Sequence, residues 1–109
     1  MFLRNITNQA VFSPDKMGKS TLFQGSQLLA GLNAFEPGQQ HAAHAHAGQD
    51  KLYYVLEGEC AVQIGDNEET LSAGDAAFAP AGVIHAIRNT GAARLVVMAV
   101  LAPPPGAKG

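Results

Sequence analysis

Four histidines are the residues of this chain best suited to chemistry. His41, His44 and His46 fall within the short stretch Gln40–His46, and His85 lies far downstream. An H-x-H pair on a β-strand turns both rings to one face, because strand side chains alternate with a period of two. Two imidazoles placed in this way can grip a single ion. His85 completes the set only if the fold brings its strand alongside. Neutral imidazoles suit zinc, iron, nickel and copper. His41 has the opposite parity to His44 on a regular strand, so it is expected outside the ligand set. Taken alone, an H-x-H pair is weak evidence for a metal, and an isolated His85 reads as a satisfied core or surface histidine.

The elements that must position these rings read as strands. No long stretch carries a 3.6-residue period; short apolar runs alternate with turn residues, as in a sandwich or barrel. Strands are expected at Gln27–Phe35, Gln40–Ala47, Leu52–Leu56, Ala61–Ile64, Glu68–Leu71, Ala76–Ala79, Ile84–Arg88 and Leu95–Leu101. Leu52–Leu56 is the densest in β-favouring types. Pro37-Gly38, Glu57-Gly58, Gly65-Asp66-Asn67, Ala73-Gly74-Asp75, Pro80-Ala81-Gly82 and Asn89-Thr90-Gly91 punctuate them. Residues 13–19 read as an irregular loop. Many short antiparallel strands favour a closed barrel, which removes aggregation-prone edges.

Composition narrows the function classes. A chain of 109 residues makes one domain. Charged residues are 15% of it, against about 25% in a typical protein, and the formal net charge is -2. With no basic stripe, a nucleic-acid or anionic-membrane surface is not expected. No segment approaches the roughly 20 apolar residues of a membrane span. The N-terminus MFLRNITNQA lacks the apolar run of a secretory signal, and Cys60 is the single cysteine. These features together point to the cytoplasm.

Two motifs resemble those of the cupin superfamily. The first is Gly, five residues, H-x-H, three or four residues, Glu, six residues, Gly. Here it reads Gly38, QQHAA, His44-Ala45-His46, AGQD, Lys51, LYYVLE, Gly58. The second is Gly, five residues, P-x-G, two residues, His, three residues, Asn, and it is matched in full by Gly74, Pro80, Gly82, His85 and Asn89. Fifteen residues separate the motifs, the compact spacing of small one-domain cupins. The resemblance implies an all-β jelly-roll barrel of antiparallel strands over residues 1–102, followed by a proline-rich tail over 103–109. It also implies one divalent transition metal ion (Fe, Zn, Mn or Ni) held by His44, His46 and His85.

The motif departs from the family at Lys51, where cupins usually place a glutamate ligand. A protonated lysine cannot ligate and repels a cation, although burial can lower its pKa. Three outcomes stay open. The site is a three-histidine centre, or Gln49 replaces the glutamate, or the pocket lacks a metal and binds an anion through Lys51. Asp50 is turned away from the Lys51 face by alternation unless a bulge at Gly48 reverses it. Lys51 and Tyr53 share a parity and are the candidate catalytic residues, placed to position a substrate and shuttle a proton. Tyr54 lies on the other face. Phe35 and Phe78 are core candidates, Cys60 is a small buried apolar group, and Asn89 caps a turn. Asp66, Glu68 and Glu69 form a solvated hairpin tip.

The family hosts many reactions, so the fold selects none. A three-histidine centre resembles that of thiol dioxygenases. The alternatives are a metal-dependent isomerase or lyase, and a non-enzymatic small-molecule binding or sensing module. The expected partners are a small-molecule substrate and a second copy of the chain. Leu28 to Leu32 and Leu95 to Leu101 would offer apolar strands to such a homodimer.

Overall fold

The computed structural model describes residues 1–105; the rest of the proline-rich tail lies outside the described residues. A short 3₁₀ turn, Ile6–Gln9, precedes the strands. Among the described residues these are β1 (Gly18–Gln24), β2 (Leu29–Phe35), β3 (Gln40–His44), β4 (Asp50–Glu57), β5 (Glu59–Ile64), β6 (Asn67–Ser72), β7 (Ala76–Ala79), β8 (His85–Asn89) and β9 (Leu95–Ala102). They form a five-stranded sheet in the order β1-β2-β9-β4-β7 and a four-stranded sheet in the order β3-β8-β5-β6. Every pairing is antiparallel. This is a jelly roll, as the strand pattern predicts. Among the described residues no helix is long and apolar enough to cross a membrane.

Alternation along β4 divides inside from outside. Lys51, Tyr53 and Val55 are buried, whereas Asp50, Leu52 and Tyr54 are exposed. Across the register, Tyr53 faces Ala99 and Val55 faces Val97. The core between the sheets joins these to Phe35, Cys60, Val62, Ile87 and Leu95. A buried Leu, Val or Phe side chain contributes about 1.5–3 kcal/mol relative to exposure, so this strip holds the sheets together. Asn89 ties the β8–β9 turn to the barrel. Its amide donates to the carbonyls of Phe35 and Ala93 at 3.1 and 3.0 Å, and its Oδ1 accepts from Gly91 N at 3.0 Å.

Two expectations are corrected. Gly18 and Lys19 are not loop but open β1, which pairs with β2 from Gly18↔Ala34 to Gln24↔Leu29. This edge strand is largely exposed and its sequence GKSTLFQ lacks a strong alternation, so periodicity does not reveal it. Phe78 is not in the core. It pairs with Leu52 on the outer face of the five-stranded sheet and is 51% exposed, while Ala79 of the same strand is buried. The small alanines face the narrow interior there and the large ring faces out.

The β4–β5 turn is a tight point of closure. Gly58 has φ of +88°, and a Cβ there would come within 2.4 Å of the Arg94 carbonyl oxygen. Gly38 has φ of +84° with open space around it. Gly38→Ala therefore carries only the left-handed backbone cost, about 1–2 kcal/mol. Gly58→Ala adds a backbone clash to that cost. Thermal or urea unfolding is expected to show the larger loss at Gly58, and equal losses would mean that the turn yields freely.

Candidate metal centre

The register of β3 against β8 positions the histidines. His41 pairs with Ile87 and His44 with His85, so three steps on β3 match two on β8. The extra residue is a β-bulge, which breaks the period of two. The parity argument for His41 fails for this reason. Its ring lies against that of His44, with centroids 4.2 Å apart. β3 also ends at His44, so His46 stands just beyond the strand rather than on it. The His44 and His46 rings are 4.7 Å apart, His44 and His85 4.3 Å, and His46 and His85 5.4 Å. One ligand atom from each of His44, His46 and His85 lies within 4.8 Å of the others, and His41 is not part of that group.

The loops of the two motifs hold each other in place. The His46 carbonyl accepts from Gly82 N at 3.0 Å, and Asp50 Oδ1 accepts from Ala81 N at 2.9 Å. Asp50 is thereby committed to the Pro80-Ala81-Gly82 turn, on the side away from buried Lys51. That turn leads into His85 at the first position of β8.

Two backbone carbonyls set the histidine tautomers. His44 Nδ1 is 2.7 Å from the Ala42 carbonyl, and His85 Nδ1 is 3.0 Å from that of Val83. A carbonyl only accepts, so each Nδ1 carries a proton, and in the neutral ring the lone pair is on Nε2. Both Nε2 atoms are buried without a hydrogen-bond partner. Burial holds His85 below the usual imidazole range, opposed by the Val83 bond and reinforced by His44, Lys51 and His46. Burial also lowers His46, with His44, Lys51 and Lys19 adding to it. Neutral rings with orphaned lone pairs are what a cation requires of its ligands. The three residues therefore fit a single divalent metal ion. Burial, followed by His44, lowers His41 to about 3.

No carboxylate joins this group among the described residues. The position where cupins place their glutamate is filled by Lys51, which is only 4% exposed. Its Nζ lies 4.9 Å from the centre of the Tyr53 ring. Burial, with Lys19 second, lowers the amine to about 8. Tyr53 is fully buried, and its hydroxyl has no partner. Burial, then Cys60, pushes that hydroxyl well above the usual phenol range. Its ring centroid stands 6.1 Å from that of His85. Gln49 donates from Nε2 to the Pro103 carbonyl at 3.0 Å, so its amide nitrogen is spent on the start of the tail. Cys60 is buried, and burial raises its thiol to about 11.

Sequence reasoning passes over Asn33 and Lys19. Asn33 is a buried polar residue within the apolar strand β2, and it pairs with Lys19 across β1 and β2. A polar residue at a core position is the informative signal in such a strand. Lys19 escapes notice because the weak alternation of β1 reads as loop.

A two-sheet barrel with inward imidazoles defines a class of small β-barrel protein with an internal histidine cluster suited to a metal ion. The Cupin domain family profile matches residues 31–101, and the chain belongs to that family. It is 31% identical over 85 residues to an oxalate-binding protein of Thermotoga maritima, covering 78% of this chain and 69% of the relative. It is 32% identical over 102 residues to the tetracenomycin polyketide synthase protein TcmJ of Streptomyces glaucescens, covering 91% of this chain and 64% of that relative. The crystal structure of TT1209 from Thermus thermophilus superimposes with a TM-score of 0.92 at 43% identity, over 96% of this chain and 100% of the other.

Lys51 makes a checkable contribution to stability. Its folded-state pKa is about 8, against 10.5 for an ordinary lysine. Between these values the unfolded chain holds a proton that the folded one has released, so stability rises with pH there. Below 8 both states are protonated and the full cost of the buried cation persists. In metal-stripped protein, Lys51→Met is expected to raise stability at pH 7 by up to about 3 kcal/mol. The gain should shrink as pH climbs from about 8 to about 10.5. Unfolding curves at pH 6, 7, 9 and 10.5 check this, and a variant less stable at pH 7 would contradict the burial account.

Proposed function

We propose that this chain is a metal-dependent cupin that acts on a small organic substrate as a three-histidine dioxygenase. The observation that carries the reading is the pair of buried Nε2 lone pairs, on His44 and His85, left open by tautomers that the backbone imposes. His46 supplies the third imidazole. Iron is the ion we assign, with zinc, manganese and nickel as the competitors that imidazole ligands also accept. When bound, the ion supplies Lewis acidity and, as iron, redox chemistry toward oxygen.

The protein's own groups have distinct tasks in this reading. Three neutral imidazoles leave the charge of a divalent ion uncompensated, which favours an anionic substrate. Lys51 attracts the same charge from within the barrel. Tyr53 keeps its proton at any working pH, because burial raises its pKa, so it serves as a hydrogen-bond donor and not as a base. Phe35, Val55 and Val97 pack in the same buried core as Tyr53, so the barrel is closed to bulk water on the Tyr53 side. Gln49 we assign to holding the tail and not to the metal, on its bond to Pro103. The oxalate-binding relative favours a second reading, a metal-charged binder of small anions with no turnover. We also place the protein in the reducing cytoplasm, where the buried thiol of Cys60 stays free.

We further propose a homodimer, through a surface other than the strands first expected. β2 and β9 lie inside the five-stranded sheet, where Leu32 and Val96 are already buried. Among the exposed apolar side chains, Leu52, Tyr54 and Phe78 lie together on the outer face of β4 and β7, and Met1, Phe2 and Leu3 stand at the N-terminus, while Val11, Phe23, Leu28 and Ile84 are exposed elsewhere. An apolar arm and an apolar face on one chain can satisfy each other across a two-fold axis.

Elemental mass spectrometry of protein purified without chelator or nickel resin tests the metal. The expected result is near one ion per chain in the wild type and none in a His44→Ala/His85→Ala variant. A wild type that is metal-free and cannot be loaded with Fe(II), Zn(II), Mn(II) or Ni(II) would sink the reading. With iron bound, oxygen uptake in the presence of small thiols and diols supports a dioxygenase. Product without oxygen consumption points to an isomerase or lyase, and binding without product to a binder. Sedimentation velocity is expected to give a dimer for the wild type and a monomer for Phe78→Glu; a wild-type monomer at tens of micromolar removes the dimer.

A further inference from the structure

Lys51 is a cation buried where no anion of the described chain meets it. The ion pairs among the described residues are Arg88–Glu68 and Arg94–Glu36, both at the surface and neither involving it. A buried charge is ordinarily paired, because leaving water without a partner is costly. The structure also holds a cavity of about 230 Å³ lined in part by Lys51, between β1, β2, β9 and the start of β4. Lys19, Asn33 and Lys51 are among its lining residues, Leu29 and Leu101 supply apolar wall, and Pro105 borders it. Among the described residues no aspartate or glutamate lines it.

We propose that this cavity is a carboxylate subsite, in which Lys51, flanked by Asn33 and by Lys19 at the rim, binds one end of a small carboxylic acid. The cavity opens to solvent at one side, and its volume sets the scale of the part of a ligand that it can enclose. At about 30 Å³ per water, it equals about eight waters, which suits an acid of five to eight non-hydrogen atoms. The apolar part of the wall excludes a fully hydrated ion such as sulfate in favour of an organic anion. Tyr53 relates the subsite to the histidines, with Lys51 Nζ over its ring at 4.9 Å and His85 at 6.1 Å between ring centroids. A two-ended acid, such as a dicarboxylate or a hydroxy acid, would place one oxygen group on Lys51 and direct the other past Tyr53 toward the triad. The lowered pKa of Lys51 is consistent with this picture, since a bound carboxylate would restore its charge. The inference rests on the metal reading only for the second end of the ligand.

Isothermal titration with oxalate and malonate, against neutral malonamide and inorganic sulfate, tests the subsite. It is run on zinc-loaded and on EDTA-stripped protein, for wild type, Lys51→Met, Lys51→Arg and the rim variant Lys19→Met. The expected result is dicarboxylate binding that weakens by at least about tenfold in Lys51→Met whether or not metal is present. Lys51→Arg should recover part of the loss, and Lys19→Met should show a smaller one. Circular dichroism verifies the fold of each variant, and Lys19, being exposed, gives a variant with little risk to folding. Binding that needs the metal but is unchanged in Lys51→Met overturns the subsite and leaves the metal reading intact. Lys51-dependent binding by a protein that cannot be loaded with metal upholds the subsite and removes the metal reading. Equal binding of malonamide or sulfate overturns the carboxylate assignment.

Discussion

The carbonyl groups of Ala42 and Val83 decide what the histidines of this barrel can be. Each sits two residues before the ring that it holds and accepts the proton-bearing nitrogen of that ring. The other nitrogen is then a lone pair, directed away from the backbone and buried with nothing to accept from. A lone pair left in this way costs free energy, about 1–3 kcal/mol for an unsatisfied buried polar group. A cation held by these two atoms together with His46 would relieve that cost, so metal affinity and apoprotein strain are two aspects of one arrangement. The remaining structure around the site serves to keep the two carbonyls and the His46 turn in place.

The two motif loops act as one brace. The His46 carbonyl and the Asp50 carboxylate both accept from the Pro80-Ala81-Gly82 turn, so the segments carrying the two halves of the site cannot drift apart independently. Asn89 performs the equivalent task at the other end of β8, joining Phe35, Gly91 and Ala93. β8 is therefore fastened at both ends, and a rigid strand is the better support for a ligand set than a loop.

Charge inside the barrel is unusual in sign. Ordinary metal centres temper the ion with a carboxylate, whereas here the nearby ionisable groups are imidazoles and an amine. After burial, Lys19 lowers Lys51, both lysines lower His41 and His46, and no acid of the cluster answers them. Such an interior is expensive for the empty protein and favourable for an anionic guest. On the reading proposed above, the tension between stability and binding places the specificity of the site in Lys51.

Much of this was legible in the sequence, for a local reason. Alternation of side chains needs only a few consecutive residues, so the shared face of Lys51, Tyr53 and Val55 and the opposite face of Tyr54 follow from KLYYV itself, whereas that the Lys51 face is the inner one was decided by the packing of the sheets. Turn residues such as Gly58 and Gly82 carry their conformation with them, and the spacing of the two motifs brought His44, His46 and His85 together as candidates. The tertiary structure decided what depends on partners distant in the chain. The bulge opposite β8 turned His41 toward His44 against simple parity. β1 exists because β2 offers it an edge, although its own residues barely alternate. Phe78 faces out because the pairing of β7 with β4 leaves room inside only for alanine. The protons of His44 and His85 were assigned by carbonyls whose approach no spacing rule predicts. Periodicity is a property of neighbours along the chain, whereas register, tautomer and charge environment are properties of neighbours in space.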